Sequence, residues 1–136
     1  TEPSDLLAEA FARLLPQLSE RMTAPDREAV ARIVASPATR QLVAAAEDGR
    51  IVGLLSVALY DVPSGRKAWI EDVVVDAATR GRGIGEALVR EALALARREG
   101  VARVMLTSNA TRRAAHRLYE RMGFVRYETD CFRLDL

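Results

Sequence analysis

Six residues, Arg80-Gly81-Arg82-Gly83-Ile84-Gly85, separate an apolar run, Val73-Val74-Val75, from a helical pattern. Glycines let a backbone approach a ligand closely, and the free N–H groups of a first helical turn point outward as anion donors. Arg80 and Arg82 add positive charge. The chemistry this pattern supports is phosphate binding. A nucleotide-hydrolysing loop ends in Lys followed by Ser or Thr, but here Gly85 is followed by Glu86-Ala87. A dinucleotide loop spaces its glycines as Gly-x-Gly-x-x-Gly near the start of a doubly wound fold. Gly81, Gly83 and Gly85 are instead spaced by two, and strand patterns joined by tight turns precede them.

Composition narrows the partners. The 136 residues suit a single domain spanning 1–136, with 49% hydrophobic and 29% charged residues. The net charge of +1 gives no global field for nucleic acid or an anionic membrane. Cys131 is the only cysteine, which excludes an internal disulfide and suits a reducing, cytoplasmic setting. No apolar run approaches the ~20 residues that span a bilayer. No Cys/His cluster suggests a metal. The lone histidine, His116, falls on the polar side of its helix and reads as solvated, and Trp69 and Tyr60 read as core, with lining of an acceptor pocket as the alternative for either.

The elements that must position the loop follow from periodicity. Ser4 and Asp5 are N-cap types ahead of a stripe, Leu6, Leu7, Ala10, Phe11, Leu14 and Leu15, that stops near Pro16. A second helix runs from Asp26 to about Ala35. Gln41 to Glu47 and Ile51 to Tyr60 read as strands joined by Asp48-Gly49, a hairpin signal. After the turn Val62-Pro63-Ser64-Gly65, Trp69 to Val75 is the next strand. The loop then opens a helix from about Gly83 to Glu99, stopped by Gly100. Val101 to Thr107 is a strand, and strand, helix, strand implies a right-handed crossover and a parallel pair. A last helix spans about Arg112 to Met122, capped by Gly123 and Phe124. Val125–Thr129 and Cys131–Leu136 are expected to close the fold as an antiparallel ribbon.

The stretch Trp69 to Leu88 resembles the acetyl-coenzyme A motif of the GNAT superfamily of N-acetyltransferases, with Arg80, Gly83 and Gly85 at its motif positions. A second stretch, Ala114 to Phe124, is similar to the later Ala-x-x-Leu-Tyr-x-x-x-Gly-Phe signature of the same superfamily. Together the two are far more specific than either alone. The resemblance covers roughly Gln41 to the C-terminus. The strand that usually opens the family is missing from a chain that begins at Thr1, so a trimmed N-terminus is expected.

The resemblance implies an α/β fold: a mixed, mostly antiparallel twisted sheet with one splayed parallel pair and helices on both faces. It implies that acetyl-coenzyme A is the co-substrate, with its pyrophosphate on the backbone of Arg80, Gly81, Arg82, Gly83, Ile84 and Gly85. It further implies a β-bulge after Glu71-Asp72, where the strand's neighbour splays away and the pantetheine arm pairs with Val73 and Val75. Many relatives carry a cofactor-contacting Asn seven residues before the tyrosine; Arg112 stands there and Asn109 three residues earlier, so either is a candidate. Acetyl transfer to an amine needs a base, for which Glu71 is the first candidate and Asp72 the second, and Tyr119 is the family-matched donor to the departing thiolate. The acceptor is a small-molecule or peptide amine, and a sugar phosphate of the glucosamine-6-phosphate kind is an alternative. A coenzyme A-binding regulatory module without transfer activity is the rival from another class. A homodimer, formed through the closing ribbon, is compatible with all of these.

Overall fold

The structure, a computed structural model, describes residues 2–136. Its first helix, α1, spans Pro3–Leu18 and buries Leu7, Ala10, Phe11, Leu14 and Leu15, one stripe at helical spacing. It begins ahead of Ser4, because Pro3 suits the first helical turn, where a missing N–H costs nothing. It also runs past Pro16. A proline forfeits its own bond to the carbonyl four residues earlier and crowds that carbonyl, but Pro16 lies in the last turn, and the Ser19 N–H still closes the helix on the Leu15 carbonyl at 3.2 Å. The second helix, α2, is Arg27–Ala35, capped by Asp26, whose carboxylate accepts from the Ala29 N–H at 2.8 Å.

Four strands follow in one sheet ordered as in the chain: β1 Thr39–Ala45, β2 Ile51–Val62, β3 Gly65–Val75 and β4 Val104–Leu106. The first three pair antiparallel, and β3 pairs with β4 in parallel. Gly49 sits at φ +86° in the β1–β2 turn, the left-handed conformation that its hairpin needs. β3 starts four residues before Trp69, since the tight turn at Pro63-Ser64 lets the ladder begin at Val62 opposite Gly65. β4 is shorter than the expected 101–107. Its ladder holds only from Ala68 opposite Val104 to Ile70 opposite Leu106, and beyond Ile70 no pairing continues. The expected mixed sheet with one splayed parallel pair is therefore present.

Between β3 and β4 the chain passes through a short 3-10 helix, Ala77–Thr79, the glycine loop, and helix α3, Ile84–Arg98. Gly100, at φ +76°, ends α3, and the Val101 N–H reaches back to the Ala96 carbonyl at 3.0 Å. The last helix, α4, is Arg113–Arg121, closed by Gly123 at φ +97° and by the Phe124 N–H on the Tyr119 carbonyl at 3.0 Å.

Helices cover both faces. Leu7, Phe11, Leu14 and Val30 of α1 and α2 pack on Ile51, Leu54 and Val74. Leu88, Val89, Ala92 and Ala96 of α3 pack on Leu55, Val57 and Ile70 from the other side, joined by Leu118 and Met122 of α4 and its cap. Gly53 makes that second layer close. A Cβ there would lie 3.0 Å from both Ile84 and Leu88, so its absence lets the start of α3 settle onto β2.

The expected closing ribbon does not form. No strand is assigned to residues 125–136, and Val125, Phe132 and Leu134 are 86%, 90% and 84% exposed. Alternation decides which side chains share a face, but a strand exists only where an edge accepts its backbone groups. Tyr127 still meets the residue ahead of β4, with the Arg103 guanidinium 5.6 Å from its ring centre.

Candidate functional site

The site is built where β3 parts from β4. The β2–β3 register slips between Leu54 and Ser56 of β2, so Asp72 and Val73 of β3 together oppose the single residue Leu55. This is a β-bulge. Asp72 takes φ +49°, a left-handed conformation that few non-glycine residues adopt and Asp tolerates better than most. The bulge turns Glu71 and Asp72 outward at the point where the parallel ladder stops.

A cavity of about 540 Å³ opens there. Glu71, Asp72 and Val73 line it from β3, and Leu106, Thr107 and Ser108 from the end of β4. Tyr119, Arg112 and Asn109 close it from the α4 side, and Leu18 and Ser19 from the end of α1. A larger groove of about 600 Å³ between α1, α2 and β1 is lined mainly by apolar side chains and contains no carboxylate or phenol. The chemistry is therefore in the smaller cavity.

Glu71 and Tyr119 share this cavity. Although Glu71 is exposed at the cavity mouth, partial desolvation there, reinforced by the neighbouring charge of Asp72, holds its carboxyl above the usual carboxylate value. Burial also raises the Tyr119 phenol, with the nearby Arg112 charge opposing the shift in part. Tyr119 is therefore protonated at neutral pH and able to donate. Its ring packs edge-on against Phe124, with centroids 5.8 Å apart, which fixes the direction of its hydroxyl. Asn109 is committed in part: its side-chain oxygen accepts from the Thr111 N–H at 3.0 Å and the Thr111 hydroxyl at 2.9 Å. Asn109 and Arg112 both border the cavity, so the structure brings together the two residues between which the sequence does not choose.

The glycine loop lies outside this cavity, at the other end of the Val73–Val75 stretch. Gly81 and Gly83 have φ of +83° and +76°, and Gly83 occupies the N-cap of α3 with no side-chain hydrogen bond to the helix. The first N–H groups of α3 are thereby left for an external acceptor. Arg80 and Arg82 are exposed, and among the described residues neither forms an ion pair. Gly85 serves packing: a Cβ there would meet Leu118 at 3.2 Å and Val75 at 3.7 Å. Ile84 faces the core beside Gly53. Val73 borders the cavity, whereas Val75 lies beneath Gly85.

Three residues sit differently from their sequence-based expectation. Trp69 and Tyr60 are not core. Tyr60 is 39% exposed, and the Trp69 indole N–H donates to its hydroxyl at 2.9 Å. Both alternate with Leu59 and Ala68, which are buried in the α3 layer, and so lie on the opposite face of the sheet. His116 is half-buried, with an Nε2 that is buried and without a hydrogen-bond partner. It precedes Tyr119 by three residues and so flanks the same helix face. Leu18 and Ser19 join the cavity without any signal in the sequence, because only the packing of α1 brings its end there. Among the described residues no group of three or more His, Cys, Asp or Glu side chains could hold a metal, and no helix is long and apolar enough to cross a membrane.

Comparison with known proteins agrees with this geometry. The model of the acetyltransferase (GNAT) family matches residues 5–124. Glucosamine 6-phosphate N-acetyltransferase 1 of Oryza sativa subsp. japonica is 35% identical over 127 residues, covering 88% of this chain and 75% of that protein. A mycothiol acetyltransferase of Thermomonospora curvata is 36% identical over 89 residues, 65% of this chain but only 29% of the length of that protein. Two further mycothiol acetyltransferases are matched over 17% and 27% of their lengths. The crystal structure of a Trypanosoma brucei acetyltransferase superposes with a TM-score of 0.79 at 31% identity, covering 100% of this chain and 96% of that one. With the bulge, the splayed pair and the uncapped glycine loop in the order that its motifs require, the chain belongs to the GNAT acetyltransferase family.

Proposed function

We propose that this chain transfers an acetyl group from acetyl-coenzyme A to an amine, directly and with both substrates bound. Acetyl-coenzyme A is the co-substrate of the family, and the donor-side residues suit it. The uncapped N-terminus of α3 and the left-handed Gly81 and Gly83 accept a pyrophosphate, and the unpaired edge of β3 accepts an extended arm as an added strand. When bound, the thioester supplies the activated acetyl group. The observation that carries the reading is that Glu71, whose carboxyl is held above its ordinary value, and Tyr119, a protonated phenol, border one cavity at the splay.

The residues divide the work. Glu71 takes a proton from the acceptor ammonium, directly or through a water, since only the neutral amine attacks. The N–H near Val73, turned by the bulge, polarises the carbonyl oxygen as charge develops there. Tyr119 holds a proton at Oη for the departing sulfur. Asp72, beside Glu71, gives the acceptor entrance a negative charge that favours a cation. Leu18 and Ser19 of α1 wall the same entrance.

The similarity to the rice protein favours an amino sugar phosphate as one acceptor to test. The experiment is an acceptor panel, with amino sugars, their phosphates, polyamines and peptide amines, read as free thiol released from acetyl-coenzyme A. Acceptor-dependent release supports the proposal. Tight coenzyme A binding with no release on any amine would favour a regulatory module instead.

The Glu71 shift has a pH consequence. A base works deprotonated, so turnover rises with pH along a limb set by a carboxyl held above its ordinary 4.5. Tyr119 works protonated, and its limb falls only above the ordinary phenol value of 10.0. Glu71→Gln is expected to cost about 100-fold in turnover and to remove the acid limb with the same acceptor. Retention of the limb in that variant would assign it to the acceptor amine.

A further inference from the structure

The entrance to the glycine loop carries a buried charge that the proposed reaction does not use. Asp76 is 7% exposed and is the one buried polar or charged residue among the described residues. It lies between Val75, the last residue of β3, and Ala77–Thr79, the turn that delivers the chain to Arg80. It does not border the cavity of Glu71 and Tyr119.

We propose that Arg13, Gln17 and Asp76 are positioning residues that clamp the pyrophosphate loop to α1; the identity of the ligand rests on the functional reading above. Asp76 Oδ1 accepts from the Ala78 N–H at 3.1 Å and Gln17 Nε2 at 3.5 Å, and Oδ2 accepts from an Arg13 guanidinium N–H at 3.2 Å. Gln17 Oε1 accepts from the Ala77 N–H at 2.8 Å. The Asp76 carbonyl takes the Thr79 N–H at 2.9 Å and its hydroxyl at 3.0 Å, so the whole turn is tied down. Arg13 spans further, donating to the Ile51 carbonyl at 2.7 Å and pairing with Glu9 at 2.9 Å.

A buried ion pair is weak support for stability, since apolar side chains of similar volume often serve as well. What the pair adds here is direction. The loop that follows contains two left-handed glycines, Gly81 and Gly83, whose Cβ positions meet nothing within 4 Å, so no packing holds the loop ahead of Ile84 at those two positions. Gly and open surface leave such a turn many conformations, and only some aim the N–H groups of α3 at one anion. The clamp fixes the loop's first residues to α1, whose Phe11 and Leu14 are anchored in the core. Arg13 and Gln17 are four residues apart and therefore project from the same face of α1. The same helix ends at Leu18, on the acceptor side of the cavity.

The test separates pyrophosphate recognition from folding. Affinities for coenzyme A and for pantetheine, which lacks the pyrophosphate, are measured by calorimetry on the wild type, Arg13→Met and Asp76→Asn. Amide exchange is followed over residues 77–85. Arg13→Met keeps the apolar stem and should fold even if Asp76→Asn does not. Losing the charged hydrogen bond is expected to weaken coenzyme A about tenfold or more. Pantetheine affinity should stay within about twofold, with faster exchange confined to 77–85. Unchanged coenzyme A affinity in Arg13→Met overturns the clamp, as does a parallel loss for both ligands. A wild type that binds no coenzyme A would overturn the functional reading itself.

Discussion

Tyr119→Phe is expected to lower turnover about 10²- to 10³-fold while the coenzyme A dissociation constant stays within about twofold. The substitution removes one oxygen and leaves the ring. The edge-on contact with Phe124 and the packing against the α3 layer persist, so the fold should lose little. Among the described residues no hydrogen bond to the Tyr119 hydroxyl is formed, so no internal partner is stranded by its removal. What disappears is a proton held in a partly desolvated cavity, where a donor aimed at developing negative charge is worth more than in water. A phenol is already protonated across physiological pH at its ordinary value of 10.0, and burial raises Tyr119 further. The proton is therefore present, but its release must be assisted by the charge developing on sulfur. The check is steady-state turnover with the acceptor from the thiol-release panel, beside a calorimetric coenzyme A titration. Unchanged turnover would remove Tyr119 from the mechanism and leave it as a packing residue.

The second large effect concerns the loop. Gly83→Val is expected to weaken coenzyme A binding about 30-fold or more. Gly83 is at φ +76° in the N-cap of α3, where a Cβ costs about 1–2 kcal/mol and a β-branched side chain is a severe outlier. The chain can relieve that strain only by turning the cap, which re-aims the N–H groups of Ile84, Gly85 and Glu86. The strain itself needs a control, and Gly49 provides one. It has φ +86° in the distal β1–β2 turn, and, as at Gly83, a Cβ there would meet nothing within 4 Å. Gly49→Val should lower the unfolding midpoint in urea by a similar amount and leave coenzyme A affinity unchanged. Equal loss of affinity in the two variants would mean that general destabilisation, and not the loop, is being read.

Much of the donor side is legible in the order of residues alone. The glycine spacing, the missing Lys-Ser/Thr and the later Leu118-Tyr119 signature are local features, and local geometry follows from local residue types. Left-handed backbone at Gly81 and Gly83 needs only that they lack a Cβ. The helices fall within a few residues of their expected bounds, because each carries one apolar stripe for one core. Expectation and structure part where a long-range partner decides. The residues 125–136 alternate like strands, but no edge takes them up. Trp69 and Tyr60 have the size and polarity of core residues, yet they alternate with Leu59 and Ala68, which are buried in the α3 layer, and so fall on the opposite face of the sheet. β4 is held to Val104–Leu106 because β3 kinks at Asp72 and withdraws its edge.

The sequence by itself determined the family, the glycine loop at the start of α3 and the candidate pair Glu71 and Tyr119, since these rest on residue type and spacing along the chain. Only the tertiary structure decided that those two border one cavity although 48 positions apart in the chain, that the end of α1 walls the same cavity, and that Arg13, Gln17 and Asp76 meet ahead of the loop. Spacing along a chain encodes periodicity within an element. Which faces of distant elements come together is set by how the whole core packs, and no short stretch of sequence contains that.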